Sequence, residues 1–120
     1  MTNRDYLQIP RAWAAKNPAV VESILRALIE ANDLLKADLA AGAVHAAKRL
    51  NLAADQVPDL LRRGGSRWDI YLGAVVLDDR KSITDWMREN KRLAAEPGDL
   101  RRIMAPQYLR AVAPGNVKGF

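Results

Sequence analysis

The 120-residue chain has no cysteine and a single histidine. The first absence excludes disulfide staples, thiolate metal sites and thiol catalysis, and the second leaves a transition-metal centre to be assembled from carboxylates. Aromatic residues make up 6% of the chain, with one phenylalanine, so aliphatic packing has to carry the core. No apolar run approaches the roughly 20 residues that a bilayer span needs, and the opening stretch MTNRDYLQIPRAW has no apolar block of the export-signal kind. As written, the chain is expected to stay in the cytoplasm and to cross no membrane. No long glycine pattern of the phosphate-loop type and no dense Asp/Glu cluster occurs, so neither a cofactor nor a metal ion is expected.

What is present is ordinary globular composition, 49% hydrophobic and 28% charged, rich in alanine and leucine, which favour helix. A chain of this length holds one modest core. The net charge is +5, and all of the excess lies in the second half: seven basic and seven acidic residues up to position 60, twelve and seven after it. The basic pairs Lys91-Arg92 and Arg101-Arg102 lack interleaved aromatic platforms, so solvated helix faces explain them better than specific nucleic-acid binding.

Apolar spacing and capping residues predict the elements. Pro10 opens a helical piece of two turns at most, which Asn17-Pro18 ends; Asn17 is a good N-cap for the next helix, with Pro18 in its first turn. From Pro18 to about Ala37, Val21, Ile24, Leu25, Leu28, Ala31 and Leu35 recur at three- and four-residue steps, giving a helix about 30 Å long. Val20, Ile29 and Leu34 widen its stripe beyond what one neighbouring helix would cover. Asp38 caps a further helix that runs to Leu50, in which Gly42 and the alanines permit close backbone approach. A turn at Asn51 leads to a short helix starting near Ala54 or Asp55, since Pro58 fits only its first turn, and Gly64-Gly65 stop it. The segment SRWDIYLGAVVLDD is read as mostly loop. A long helix is expected from about Asp79 to Ala95, with Asp78-Asp79 capping it and SITD at 82–85 as a competing start. A last turn or two near Gln107 to Val112 precedes a loose tail. The fold class is therefore all-α, a compact bundle of about five helices with one irregular or short extended segment near 66–77; residues 1–113 form a single helical domain and 114–120 a flexible C-terminal tail.

Catalytic chemistry finds little support. His45 falls about 140° from the centre of its helix's apolar sector, near Lys48, which points to solvent. No serine or acid stands at helical spacing to orient it. Gly64-Gly65 beside Arg62, Arg63 and Arg67 reads as a basic helix C-terminus rather than a phosphate cradle. For Trp86 core packing is the better reading. For Trp68 and Tyr71, in irregular backbone, packing and recognition are nearly even; with Arg67 they form the candidate ligand-binding set. No residue is assigned a catalytic role, and no enzyme is recognisable.

Taken in order, AWAAKNPAVVESILRALIEANDLL, AAGAVHAAKRLNLAADQVPDLL, RWDIYL, SITDWMRENKRLA and IMAPQYL resemble the C-terminal part of the periplasmic solute-binding proteins of ABC importers, in particular the nitrate, sulfonate and taurine binders and their relatives in thiamine-pyrimidine synthesis. The likeness covers about residues 12 to 112. It implies a non-catalytic, solute-binding-like helical domain with a small organic or anionic ligand, and a periplasmic location if the chain is a fragment of an exported protein. Proteins of that family close two α/β lobes over the ligand, and those lobes are missing here. Helices made to cover a sheet then have large side chains left over, which favours association. A homo-oligomer is expected, most simply a dimer, and the alternative function is a structural or oligomerisation module with no ligand.

Overall fold

The structure, a computed structural model, describes residues 6–59, 69–95 and 98–120. The described residues are mostly helical. Helix α1 spans Arg11–Lys16, α2 Pro18–Ala37 and α3 Leu39–Leu50; residues 57–59 are helical. A two-residue strand β1, Leu72–Gly73, leads into α4, Ala74–Glu89. A 3-10 turn at Leu100–Ile103 precedes α5, Pro106–Val112, and a second at Pro114–Asn116 precedes strand β2, Val117–Lys118. Contacts group the chain into two compact units, Arg26–Ile70 and the combination of Met1–Leu25 with Tyr71–Phe120.

In the Arg26–Ile70 unit, local signals set the boundaries. Asp38 accepts the Ala41 N–H at 2.9 Å, the cap expected from sequence, which satisfies one of the donors left open at the start of α3. Asn51, at φ 54, ends α3, and the Leu52 N–H reaches back to the Ala47 carbonyl at 3.1 Å, the six-residue closure of a left-handed helix stop. Pro58 lies in the first turn of the helical residues that begin at Val57, where its missing N–H costs nothing. The residues expected to end that helix, Gly64 and Gly65, lie outside the described ones. The core is small: Ala43, Ala47 and Val57 are buried, with Ala46 packed against them. Gly42 completes the close approach, because a Cβ there would stand 2.1 Å from Leu35 Cδ2.

In the other unit, Ala14, Val21, Leu25, Val76 and Leu109 are buried. The Asn17 side-chain amide donates to the Trp13 carbonyl at 2.9 Å, so it closes the end of α1, while its backbone carbonyl accepts from Val20 and Val21 at the start of α2. Helix α4 corrects both expected boundaries. It starts five residues before Asp79, with extended Gly73 as N-cap and no side-chain cap; Asp78 and Asp79 therefore sit in its second turn rather than capping it. The strand pairing of Gly73 fixes the entry, which no carboxylate has to supply. Helix α4 also stops at Glu89 instead of Ala95, because Lys91 adopts φ 54 and the Lys91 and Arg92 N–H groups bond back to Arg88 and Met87 at 2.9 and 2.7 Å, a complete Schellman closure. Trp86 is half exposed, with the Arg92 guanidinium 5.7 Å from its ring, rather than packed in the core.

Residues 114–120, expected as a loose tail, are tied at three places. β2 pairs in parallel with β1, Leu72 opposite Val117 and Gly73 opposite Lys118. Gly119, at φ +75, brings its backbone so close that a Cβ would meet that of Ala74 at 3.2 Å. The Arg110 guanidinium donates to the Phe120 carbonyl at 3.3 Å.

Lys91 holds a left-handed conformation that costs a side-chain-bearing residue about 1 to 2 kcal/mol. Lys91→Gly is expected to raise stability by about 1 kcal/mol in urea unfolding. Asn51→Gly gains only a few tenths, since asparagine tolerates that region. Equal effects of the two substitutions would contradict the assignment.

Candidate functional site

Chemistry-bearing side chains recur along α4 at three- and four-residue steps: Asp78, Lys81, Asp85 and Arg88. That spacing puts them on one face. The 3-10 turn Leu100–Ile103 packs against α4, held in shape by Asp99, whose carboxylate accepts the Arg101 N–H at 2.9 Å. Between them lies an open groove with a volume of about 450 Å³, lined by Ala74, Leu77 and Leu100 together with these charges, Thr84 and Gly98.

The groove's electrostatics are balanced, with Asp78, Asp85 and Asp99 against Lys81, Arg88 and Arg101. Lys81 donates to Asp85, and Asp99 is occupied by its own turn. A site with as many carboxylates as cations does not concentrate a bare anion. It suits a small molecule that has an apolar part and both hydrogen-bond donors and acceptors. Thr84 supplies a hydroxyl, and no imidazole is among the described residues that line the groove.

Of the three residues expected to bind ligand, Arg67 and Trp68 lie outside the described ones. Tyr71 is half-buried, and its ring stands 3.5 Å from the Cβ position of Gly73 at the start of α4. His45 is exposed on α3. Among the described residues no group of three potential metal donors comes together, and no helix is long and apolar enough to cross a membrane.

The groove residues were missed in the sequence because only half of the pattern is local. The Lys81 to Asp85 spacing was available, and with it the whole charged face of α4. The opposing turn at 100–103 depends on the chain reversing after Glu89, which periodicity does not encode.

The stretch leading to Tyr71 is anchored at Asp69. Lys36 donates to the Asp69 carboxylate at 2.8 Å and lies 3.7 Å from Asp33. The hydrogen bond to Asp69, opposed by desolvation and aided by the attraction of both carboxylates, holds the Lys36 pKa above its ordinary value of 10.5.

A second surface is the outer side of α2. Counting 100° per residue, Val20, Ile24, Ala27, Leu28, Ala31 and Leu34 fall within about 120° of one another. Val20, Ile24, Leu28 and Leu34 are all exposed, Leu34 by 66%. Val21 and Leu25 are buried on the adjoining flank.

Comparison with known protein families, curated proteins and solved structures gave no match.

A folded-state pKa raised above the unfolded one adds stability that is fully present below pH 10.5 and lost as pH rises through the raised value. Asp69→Asn should bring the Lys36 titration down toward 10.5, read from its ¹³Cε shift by NMR. The stability gap between wild type and this variant should close at pH above the raised pKa. A Lys36 titration indifferent to the substitution would show that the pair does not form in solution.

Proposed function

We propose that the chain is a non-catalytic association module, a structural or oligomerisation element that works through the outer side of α2. The carrying observation is the row of large apolar side chains left open on one continuous helix, Val20, Ile24, Leu28 and Leu34. Such a row marks a surface meant to be covered. Each is already partly buried, so covering it contributes about 1 kcal/mol, roughly half of full burial. Four per copy on two copies give about 8 kcal/mol, against an association cost of about 4 to 15 kcal/mol. Reversible, concentration-dependent association follows, not a permanent complex.

Sedimentation velocity tests this. The average mass is expected to rise above the 13.3 kDa of one chain as concentration goes from roughly 10 μM to a few mM, since a net gain of at most about 4 kcal/mol corresponds to a Kd of about 1 mM. Ile24→Glu with Leu28→Glu should hold the mass at one chain while circular dichroism stays unchanged. A wild-type mass that stays at one chain throughout removes the reading.

The second reading is the binding of a small organic or anionic ligand, as the solute-binding resemblance implies, and the groove on α4 favours it. Its balanced charges favour a molecule with both polar signs over a bare anion. Thermal-shift measurements with sulfonates, nitrate, small carboxylates and pyrimidines separate the two readings. A ligand at a hundredfold excess over its Kd raises stability by about 2.7 kcal/mol, and Arg101→Ala should abolish that shift. The absence of any shift leaves association alone.

A further inference from the structure

The charges along the α4 groove are not equally available to a ligand. Lys81 and Asp85 bind each other, the Asp99 carboxylate accepts the Arg101 N–H, and Arg88 already interacts within the chain. Among the described residues, the Asp78 carboxylate and the Arg101 guanidinium have no hydrogen-bond or ion-pair partner, and both side chains are exposed. They are opposite in sign and line one groove from different walls, Asp78 on α4 and Arg101 on the 3-10 turn, yet do not pair with each other. We propose that the groove binds a zwitterionic amino acid, with its ammonium group on Asp78, its carboxylate on Arg101 and its carbon skeleton against Leu77 and Leu100. The proposal rests on the small-molecule reading of this groove and adds to it the class of ligand.

The two open groups suit the two ends of such a molecule. A carboxylate only accepts hydrogen bonds, which is what an ammonium group needs, and the planar guanidinium fork matches a carboxylate. The Asp99 carboxylate fixes the backbone of Arg101 through its N–H and leaves the guanidinium donors free. Each charge has an apolar neighbour that lines the same groove, Leu77 before Asp78 and Leu100 before Arg101. A ligand with one charge answers one wall and is repelled by the other: an anion on Arg101 meets the field of Asp78, and an amine on Asp78 meets that of Arg101. A ligand with both charges turns both fields to its favour. The closed Lys81–Asp85 pair adds no net preference for either sign. The volume of about 450 Å³ falls within the range of small-molecule sites, about 300 to 1,000 Å³.

Four probes dissect the site. L-leucine and ε-aminocaproate carry the two charges at short and long separation, while isocaproate and isoamylamine each carry one charge on the leucine skeleton. Each is titrated into the intact chain at millimolar concentration and followed by ¹H–¹⁵N NMR. At least one zwitterion should shift the amides of Asp78, Thr84 and Arg101, and bind about tenfold more tightly than either singly charged relative, as one more hydrogen bond to a charged group implies. Asp78→Asn should weaken the zwitterion about tenfold and leave isocaproate binding no weaker. Arg101→Gln should weaken the zwitterion similarly and leave isoamylamine binding no weaker. Both side chains are exposed, so neither change opens a cavity. Isocaproate binding as tightly as both zwitterions would remove Asp78 from the site and overturn the proposal in favour of a simple anion. If no groove amide moves with any of the four probes while a sulfonate or pyrimidine raises thermal stability, the amino acid falls and the small-molecule reading stands. If those compounds also leave the stability unchanged, both fall together.

Discussion

How closely an alanine lets one backbone approach another decides the rest of this structure. Ala43 and Ala47 sit with Val57 at the centre of the Arg26–Ile70 unit, and Gly42 leaves space that a Leu35 methyl fills. Close approach of this kind gives dense contact but removes little area per residue from water, so each alanine adds less than a leucine would. The leucines and isoleucines of α2 are not drawn inward to compensate. Leu25 is buried, while Ile24, Leu28 and Leu34 stay open. A small interior and an open exterior are thus two sides of the same packing choice.

With so little buried area, the ends of the helices matter more than usual. Asp38 and Asp99 each accept a backbone N–H, and Asn51 and Lys91 reverse the chain in the left-handed region. The two aspartate caps each contribute about 1 kcal/mol, a sizeable share of the stability of a small domain. The same devices position the groove: Lys91 ends α4 early, and Asp99 shapes the turn that forms the opposite wall.

Helices α2 and α3 were legible in the sequence because periodicity and caps agree there. Pro18 and Asp38 start them, and Asn51 stops the second. The start of α4 was not legible, because Gly73 caps it by backbone alone and Asp78-Asp79 offered a more conventional cap five residues late. Its end was missed because lysine is a poor candidate for a left-handed stop, and only hydrogen bonds back to Met87 and Arg88 reveal it. Trp86 was assigned to the core by its spacing; in the structure its ring is half exposed, with the Arg92 guanidinium near it. Of the candidate site, the charged face of α4 could have been read from the spacing of Asp78, Lys81, Asp85 and Arg88, but its partner wall arises from non-local folding. The tail was misjudged for a similar reason: nothing near Val117 announces a partner at Leu72.

That pairing also sets an order of events during synthesis. Leu72 and Val117 are 45 positions apart, and the unit they belong to is assembled from two separated stretches of chain, whereas Arg26–Ile70 is continuous. On a ribosome the continuous unit can close soon after it emerges, but the divided one must wait until Val117 and Lys118 have left the exit tunnel. Until then β1 has no neighbour, and Ala74 at the head of α4 lacks the glycine that later rests on it. Completion of the divided unit therefore waits on residues 117–119, long after the continuous one has closed.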